Sequence, residues 1–497
     1  MLLREQCVNS FSFVTPRPAL KLRARMSDER FDLAIIGAGP GGYVSAIRAA
    51  HHGLRVALIE EKHLGGVCLH TGCIPTKTMV ASVGLLRQAR AALNWGLNVV
   101  QAETQLTALI ARRQKVVQQL GNGVKTLLDK NHVTVINGRA ALRAADEIEV
   151  RDASGAVSAT ITKPGAILLA TGSRPADLPI ARRDGVHILN SDDLLDLAEL
   201  PAELLIIGGG YIGCEFASVF GGLGSKVTII EADSRLLPNM DKELGQWLER
   251  SFKKSGINLL LNARVEQAAS TANGVEVRLA DGQTFTGSRL LVSVGRVANR
   301  ENLGLDTAGV KLEGCAIGVN EFMETSAAGI FAIGDVTGKM ALAHVATAQG
   351  RIVVENLLAA KTGAPWQKMD YDAVPACVFT YPEIATIGLT EEEAARRGLA
   401  VRIGRFPFAA IGKALAMGET EGFVKLIADA NTGRLLGGHI FGGHAAELIG
   451  QITLAVRLGA TAQQLTETIF AHPTLSEAIL ESAEGIFGKS THIITRR

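Results

Sequence analysis

The sequence contains few cysteines and few prolines. Among its 497 residues there are 6 cysteines and 14 prolines, against 54 glycines. So few cysteines exclude a small scaffold held together by disulfides. Because proline is scarce, the glycines indicate tight backbone approaches between strands and helices, and not a disordered linker. Four isolated cysteines are predicted to be buried or inert thiols, namely Cys7, Cys214, Cys315 and Cys377.

The chain also lacks a strong excess of charge and a long uninterrupted hydrophobic run. Its net charge is +2, which gives no reason to expect nucleic acid or an anionic membrane as a partner. The most apolar run, residues 204–224, contains Glu215 and several glycines, so a strand, a turn and a helix are predicted there instead of a membrane span. The 497 residues are enough for two to four domains. A content of 47% hydrophobic and 20% charged residues is ordinary for a soluble globular protein.

The N-terminal segment, residues 1–25, differs from the rest in charge. It contains a single acid, Glu5, and five basic residues, Arg4, Arg17, Lys21, Arg23 and Arg25. A basic, acid-poor start is typical of an organelle transit segment. A start codon upstream of Met26 is the simpler interpretation, because two prolines interrupt any continuous amphipathic helix. The simpler interpretation predicts a cytoplasmic protein, whereas a transit segment would place it in the mitochondrial matrix.

Two segments carry the same pattern at a constant displacement along the chain, so that position 37 corresponds to 208 and position 60 to 231. Each begins with an apolar run and continues with three spaced glycines, a helix-like stretch and a second apolar run that ends in glutamate. The first copy has these residues at Gly37, Gly39, Gly42 and Glu60, and the second has them at Gly208, Gly210, Gly213 and Glu231.

This repeat predicts two dinucleotide-binding units. In such a unit the first glycine makes the turn, the second lets the backbone approach a pyrophosphate, and the third permits close packing of helix on strand. The acid about 20 residues further on accepts hydrogen bonds from ribose hydroxyls. Glu231 suits the free 2′-hydroxyl of NAD and repels the 2′-phosphate of NADP. Arg235, a little further on, leaves some tolerance of NADP open.

The next strongly patterned segment contains two cysteines, Cys68 and Cys73, with His70 between them. A zinc site would need a second ligand pair at metal spacing, and one histidine does not complete it. A redox disulfide and coincidence remain, and the neighbouring nucleotide fold favours the disulfide. Five residues of ideal helix rise about 7.5 Å, whereas bridged Cα atoms lie at most about 6.8 Å apart. A bridge here therefore needs a distorted turn, which Gly72 is suited to provide.

Five motifs together resemble the flavoprotein disulfide reductases, from about residue 30 to the C-terminus. They are GAGPGG at 37–42, GGVCLHTGCIPTK at 65–77, GGGYIGCE at 208–215, AIGD at 332–335 and HPTLSE at 472–477. The resemblance implies an α/β fold with two Rossmann-like domains, for FAD and NAD, and a C-terminal α+β dimerisation domain. The implied domains are an extension at 1–25, an FAD-binding domain at 26–171, an NAD-binding domain at 172–294, a central domain at 295–365 and an interface domain at 366–497.

The same resemblance implies which residues contact the cofactors. The residues expected to hold FAD are Gly37, Gly39, Gly42, Glu60, Lys77, Gly138, Thr171, Gly172, Ser173, Asp335, Ala343 and His344. Those expected to hold NAD are Gly208, Gly210, Tyr211, Gly213, Glu215, Glu231 and Gly295. Lys77 is expected beside the flavin ring, paired with Glu215. The resemblance implies no metal.

The catalytic residues implied by the family are Cys68, Cys73, His472, Glu477, Lys77 and Glu215. His472 of one subunit of a homodimer would take a proton from a dithiol substrate bound at the partner's disulfide, and Glu477 would orient its ring. Electrons would then pass through the disulfide and FAD to NAD. Pro473 is expected to begin the helix that contains Glu477.

Within the family, residues 406–427 resemble the members that oxidise protein-bound dihydrolipoamide. Ile411 departs from their pattern, where a polar residue, usually asparagine, is expected. The implied partner is a lipoyl-bearing acyltransferase or a lipoyl carrier protein of a 2-oxo acid dehydrogenase or glycine cleavage complex. Two alternatives stay open: another disulfide reductase, similar to glutathione reductase, and a flavoprotein that serves only as a binding subunit. The complete set of catalytic residues argues against the second.

Overall fold

The computed structural model of the protein describes residues 30–99 and 101–494. The predicted extension, residues 1–25, lies outside the described residues, as does Cys7. Within them, two five-stranded parallel sheets are followed by a five-stranded antiparallel sheet in the C-terminal part of the chain. This arrangement agrees with the predicted α/β fold, in which two Rossmann-like units precede an α+β domain.

The first parallel sheet is covered on both faces. Its strands, in spatial order, are Ile330–Ala332, Ile167–Leu169, Leu33–Ile36, Val56–Glu60 and Thr134–Asn137. One face packs against the helices Pro40–His51, Leu106–Lys130 and Ala343–Thr362. The other packs against the antiparallel strands Arg139–Ala144, Glu147–Arg151 and Val157–Thr162. Coverage of both faces explains why the strands read as continuous apolar runs and not as alternating ones.

The second parallel sheet repeats this design. Its strands, in spatial order, are Asn258–Leu260, Lys226–Ile230, Glu203–Ile207, Arg289–Val292 and Ile188–Leu189. The helices Tyr211–Leu223 and Lys242–Lys254 cover one face. The antiparallel strands Val265–Thr271, Gly274–Leu279 and Thr284–Gly287 cover the other. The apolar run 204–224 is therefore a strand, a turn and a helix, as predicted.

Shorter elements connect the units. In the first unit they are the helices Gly66–His70 and Cys73–Arg90 and the 3-10 helix Ala92–Trp95. Between the units lie the helix Ser191–Leu195 and the strand pair Ser173–Pro175 with Arg296–Ala298. The strand pair Leu312–Glu313 with Ala316–Ile317 and the 3-10 helix Gly334–Thr337 follow. Because the strand 330–332 and the helix 343–362 pack into the first unit, the segment 295–365 completes that unit from a distant part of the sequence.

The C-terminal sheet is antiparallel and has helices packed against it. Its strands, in spatial order, are Ala376–Val378, Glu383–Gly388, Leu435–Gly442, Phe423–Asp429 and Val401–Pro407. Helices of this region are Glu391–Arg396, Gly412–Ala416, Ala445–Arg457, Ala462–Thr466 and Glu477–Ile486, with the 3-10 helix Phe408–Ala410. The longer helices bury their apolar faces on the sheet.

One helix boundary differs from the prediction. The last helix begins at Glu477 and not at Pro473, which follows a cis peptide bond from His472. The hydroxyl of Thr474 donates to the carbonyl oxygen of Ala471, and its amide donates to the side chain of Glu477. These local bonds hold the segment before Glu477 as a turn, because they use groups that would otherwise begin a helix.

Candidate active site

Each parallel unit has a glycine turn between its first strand and its first helix. Gly37 has φ +101° and Gly208 has φ +108°, in the left-handed region that favours glycine. A Cβ atom at either position would lie 2.4–2.5 Å from a carbonyl oxygen of the neighbouring strand's end, that of Ala170 or Ser293. The first glycine of each turn is therefore required by both conformation and space.

The third glycine of each turn is required by packing. A Cβ atom at Gly42 or at Gly213 would overlap the carbonyl oxygen of the first glycine of the same turn. Both residues are buried in the first turns of their helices. The helices can therefore lie close to the strands only because no side chain is present.

The second glycine of each turn faces open space. A Cβ atom at Gly39 or at Gly210 would meet nothing within 4 Å. Each is the residue that precedes a helix of at least 12 residues, and no side chain caps the helix start among the described residues. The backbone amides there are left to bind an anion, which the helix dipole favours. This geometry fits the pyrophosphate of a dinucleotide in both units.

The acid of each unit binds the glycine turn itself. Glu60 Oε2 accepts from the amide of Ala38 at 2.7 Å, and Glu231 Oε2 accepts from the amide of Gly209 at 2.5 Å. The other oxygen accepts from the amide two positions further on, that of Lys62 or Asp233, at 2.8 and 2.7 Å. The donors in the two units are related by the same displacement along the chain as the glycines. Each carboxylate is thus fixed beside the turn, where a ribose would lie.

The remaining residues predicted for the first cofactor lie at the edge of the first unit. Gly138 follows the strand Thr134–Asn137, with φ +148°, and its amide donates to the carbonyl oxygen of Glu60. Gly172 has φ +70° and open space around it. Ala343 and His344 begin the helix Ala343–Thr362, and His344 Nε2 lies 2.8 Å from the carbonyl oxygen of Pro375. In the second unit, Tyr211 begins its helix and Gly295 follows the strand Arg289–Val292 with φ +123°.

A polar network joins Thr171, Ser173 and Asp335. The hydroxyl of Thr171 donates to the carbonyl oxygen of Asn299 at 2.7 Å, and the hydroxyl of Ser173 donates to Asp335 Oδ2 at 2.5 Å. Arg296 donates through Nε to the hydroxyl oxygen of Ser173 at 2.7 Å and lies 3.9 Å from Asp335. Residues that are far apart in sequence are therefore held together between the two units.

Cys68 and Cys73 form a disulfide, with their Cα atoms 4.7 Å apart. Cys68 lies in the helix Gly66–His70 and Cys73 begins the helix Cys73–Arg90. The helix is interrupted at Gly72, which has φ −133° and ψ −110°. The predicted distortion at Gly72 is confirmed, and it shortens the separation below that of an ideal helix.

His70, which lies between the two cysteines, is held by two neighbouring groups. Its Nε2 lies 2.9 Å from the carbonyl oxygen of Leu64 and its ring stacks on that of His63 at 4.7 Å. Burial lowers the pKa of His70, so the ring is neutral at physiological pH and donates its Nε2–H.

Lys77 lies one helical turn after Cys73 and pairs with Glu215. Its Nζ donates to the two carboxylate oxygens at 3.0 and 2.8 Å, and it lies 4.3 Å from the ring centre of Phe379. Glu215 is buried and also accepts from the amide of Phe379 at 2.9 Å. This contact joins the disulfide-bearing helix, the first helix of the second unit and the C-terminal domain at one point.

His472 and Glu477 form a second acid–base pair. His472 Nδ1 lies 2.8 Å from Glu477 Oε1, and the side chain of His472 is 79% exposed. Burial tends to raise the pKa of Glu477, but hydrogen bonds from His472 and from the amide of Thr474 lower it overall. Because Glu477 is ionised, Nδ1 carries the proton of the pair and Nε2 is left as a proton acceptor.

Comparison with known proteins accounts for both units and for the C-terminal domain. Residues 31–350 match the family model described as pyridine nucleotide-disulphide oxidoreductase. Residues 374–483 match its dimerisation domain. The chain belongs to this family.

Relatives in this family are similar over nearly their whole length. Dihydrolipoyl dehydrogenase of Zymomonas mobilis is 41% identical over 468 residues, covering 93% of this chain and 99% of the relative. The enzyme of the same name from Bacillus subtilis is 41% identical, with the same coverage. Among solved structures, LpdA of Mycobacterium tuberculosis has a TM-score of 0.85 at 33% identity, covering 91% of this chain and 98% of the other. The HOCl-induced flavoprotein disulfide reductase RclA of Escherichia coli has a TM-score of 0.81 at 32% identity, covering 91% and 99%.

Family membership confirms the predicted fold class and the predicted enzyme class, an oxidoreductase. The dihydrolipoyl dehydrogenases of this family use FAD and NAD, and the two glycine turns fit two dinucleotides. The matched dimerisation domain supports a homodimer and contains both His472 and Glu477. Among residues 30–99 and 101–494, no helix is long and apolar enough to cross a membrane.

Three residues that hold distant segments of the site together were not predicted from the sequence. Arg296, Asn299 and Phe379 carry no motif of their own, and each makes its contact with a residue in a distant part of the chain. No local pattern marks any of the three.

The isolated cysteines agree only in part with the prediction. Cys214 is fully buried, and burial raises its pKa well above the ordinary value. Cys377 is partly buried, and burial raises its pKa to about 11. Cys315 is exposed, so of the two alternatives, buried or inert, it is not buried, and its inertness stays a prediction. It lies in the tight turn between the short strands Leu312–Glu313 and Ala316–Ile317, where side chains point to solvent.

Proposed function

We propose that the chain is an NAD-linked dihydrolipoyl dehydrogenase. It would oxidise protein-bound dihydrolipoamide to lipoamide through the Cys68–Cys73 disulfide and FAD, with NAD as the final acceptor. The observation that carries this proposal is the disulfide at the start of the helix that bears Lys77, inside a chain 41% identical to dihydrolipoyl dehydrogenases over 93% of its length. Flavin, when bound, supplies the passage of electrons between dithiol and nicotinamide.

The chain's own residues have distinct roles in this proposal. The thiolate of the substrate attacks Cys68, a mixed disulfide forms, and Cys73 leaves as a thiolate. The second thiolate of the substrate then attacks the substrate sulfur of the mixed disulfide, so that lipoamide forms and Cys68 leaves as a thiolate. The ammonium group of Lys77, on the same face of the helix as Cys73, favours negative charge there. His472 Nε2 takes the proton from the dithiol and Glu477 stabilises the imidazolium that results. The predicted cofactor contacts, among them Gly138, Asp335, Ala343 and His344, belong to this proposal.

The nucleotide of the second unit is proposed to be NAD. Glu231 is held beside the glycine turn by two backbone amides. A carboxylate in that place accepts hydrogen bonds from ribose hydroxyls and repels a 2′-phosphate. The homologous position in the first unit, Glu60, has the same two bonds, which supports an adenosine ribose at each.

The proposed macromolecular partner is a lipoyl-bearing acyltransferase or lipoyl carrier protein. Support comes from the relatives' name alone, since dihydrolipoyl groups are carried on other chains. The domain boundaries at 171, 294 and 365 are retained as proposed limits. The compartment stays a prediction, cytoplasm or mitochondrial matrix, because the residues that decide it, 1–25, lie outside the described residues.

The test is NADH formation from dihydrolipoamide by the FAD-loaded protein, with two controls for specificity: NADP+ in place of NAD+, and glutathione disulfide with NADPH. We expect rapid reduction of NAD+, its loss in Cys68→Ser, and full activity in Cys315→Ser, which removes an exposed cysteine outside the proposed site. A flavoprotein that ignores dihydrolipoamide and reduces glutathione disulfide would contradict the substrate and leave the disulfide chemistry standing.

A further inference from the structure

The segment after Glu231 passes beside the glycine turn of the second unit. The amide of Leu237 donates to the carbonyl oxygen of Gly209 at 3.0 Å. A Cβ atom at Gly209 would lie 2.7 Å from the side chain of Leu236 and 3.1 Å from Glu231 Oε2. Arg235, next to Leu236 in sequence, therefore lies on the segment that borders the space proposed for the adenosine end of the nucleotide.

The guanidinium group of Arg235 is held by a carboxylate from another domain. Its two terminal nitrogens donate to the two oxygens of Glu392 at 2.9 and 3.1 Å. One of them also donates to the carbonyl oxygen of Pro238 at 2.9 Å. Glu392 lies on the helix Glu391–Arg396 of the C-terminal domain, so the pair spans the boundary between that domain and the second nucleotide-binding unit.

The backbone that carries Glu392 is fixed. The neighbouring Glu391 lies 2.7 Å from the ammonium group of the fully buried Lys425, which also lies 2.6 Å from Asp241. Thr390 caps the same helix through its hydroxyl, which accepts from the amide of Glu393 at 3.1 Å. A bidentate pair on a fixed backbone loses less side-chain entropy than an ordinary surface pair.

These contacts bear on the choice between NAD and NADP. Arginine binds phosphate through the same two-nitrogen fork that it offers to a carboxylate, and an arginine near the ribose is the usual means of accepting a 2′-phosphate. In this chain the fork of Arg235 is occupied by Glu392. We propose that Glu392 is a specificity-determining residue that withholds Arg235 from a 2′-phosphate. Rejection of NADP then depends on Glu392 as well as on Glu231, an inference that rests on the proposed NAD-linked function.

The test is calorimetric titration of NAD+ and NADP+ into the FAD-loaded, full-length protein. Four proteins are compared: the natural sequence, Glu231→Gln, Glu392→Gln and the double variant. We expect the double variant to bind NADP+ about tenfold more tightly than Glu231→Gln alone, as one additional charge-assisted contact to phosphate provides. The affinity for NAD+ should agree within about twofold between the natural protein and Glu392→Gln. It should agree equally well between Glu231→Gln and the double variant.

Two further variants isolate the cause. Adding Arg235→Gln to the double variant should remove the gain in NADP+ affinity, because the freed guanidinium group is its source. Glu393→Gln, which removes an acid of the same helix paired with Arg396 and Arg397, should leave both affinities unchanged. A thermal melt of each variant establishes that it is folded.

Three results would overturn the inference: no gain in NADP+ affinity in the double variant, a gain that persists without Arg235, or an equal gain in Glu393→Gln. In each case tight binding of NAD+ by the natural protein would leave the proposed function intact. If the natural protein binds neither nucleotide, the proposed function fails and this inference fails with it.

Discussion

At the scale of single residues, the His472–Glu477 pair has the geometry of a positioned base. The carboxylate fixes the proton on Nδ1, and the exposed ring presents Nε2 outward. Hydrogen bonds, working against burial, lower the pKa of Glu477 from its ordinary value of 4.5. The carboxylate therefore remains ionised throughout the neutral range, and the pair is lost only as the pH falls through that lowered pKa.

We expect His472→Ala to lower kcat/KM for dihydrolipoamide by about 10² to 10⁴, the usual contribution of a general base. Glu477→Gln should cause a smaller loss, because a neutral amide no longer stabilises the imidazolium that forms when the histidine takes up a proton. The matched control is His492→Ala, because His492 pairs with Glu481 of the same helix in the same manner. An equal loss in both histidine variants would contradict the assignment.

Ile411 shows how a departure from a family pattern is accommodated. It precedes the short helix Gly412–Ala416, a position where asparagine would cap the helix through its side chain. The side chain of Ile411 is instead buried in the hydrophobic cluster of the C-terminal domain. The capping bond that the expected asparagine would supply is thus replaced by apolar burial, and the helix keeps its place.

At the scale of elements, the two glycine turns separate the requirements of folding from those of binding. Gly39 and Gly210 face open space and have φ of −66° and −74°, which any residue adopts. Gly42 is instead in contact with the strand-to-helix turn. A methyl group at Gly39 or at Gly210 should therefore spare the fold and occupy the space of a pyrophosphate.

We expect Gly39→Ala to melt within a few degrees of the natural apoprotein and to retain little FAD after gel filtration. Gly210→Ala, its counterpart in the second unit, should retain FAD and lose affinity for NAD+. Gly42→Ala should fail to fold stably, because its Cβ would overlap the oxygen of Gly37. Flavin absorbance per chain, NAD+ titration and thermal melts measure these outcomes. Loss of FAD in Gly210→Ala would contradict the assignment of the two units.

The elements that the sequence predicts are those whose requirements are local. Glycine turns, the acids after the second strands and the break at Gly72 each follow from a few neighbouring residues and simple geometry. The contacts of Arg296 with Ser173 and of Phe379 with Glu215 do not, because they depend on how distant segments pack. The start of the last helix was also mispredicted, since the side chain of Thr474 binds the backbone locally and delays the helix to Glu477.

At the scale of the whole molecule, a buried charged cluster joins the second unit to the C-terminal domain. Lys425 pairs with Asp241 and Glu391, and although burial opposes it, these pairs raise the pKa of Lys425. His439 lies 3.9 Å from Asp241 and is fully buried. Burial lowers the pKa of His439 to about 4, against attraction from Asp241. The ring is therefore neutral, with Nε2 3.0 Å from the carbonyl oxygen of Leu389.

This cluster predicts an acid sensitivity of the fold. In the unfolded chain His439 takes up a proton near pH 6.5, whereas the folded chain resists it until about pH 4. Stability is therefore lost as the pH falls between these values, by about 3 kcal/mol for this residue. His439→Gln, or His439→Asn if that variant folds poorly, should flatten the dependence of the unfolding free energy on pH over this interval. Exposed His52→Gln is the control, and an unchanged slope in the His439 variant would contradict the prediction.

The two halves of the proposed reaction site lie on different domains. The disulfide belongs to the first unit, whereas His472 lies on the dimerisation domain beside Ile469, whose side chain is 97% exposed in the single chain. An apolar residue so exposed next to a proposed base is expected where a partner subunit packs. We infer that each site combines the disulfide of one subunit with His472 of the partner subunit.

Complementation tests this arrangement. Chains carrying Cys68→Ser and His472→Ala, with different affinity tags, are co-expressed, and heterodimers are isolated by tandem purification. In a shared site the intact disulfide of one chain meets the intact His472 of the other, so each heterodimer has one working site and about half of the natural activity, whereas both homodimers are nearly inactive. If each chain formed its own site, both sites of the heterodimer would carry a defect. A heterodimer as inactive as its parents would therefore place His472 and the disulfide within one chain, and half activity would require them to meet across the dimer.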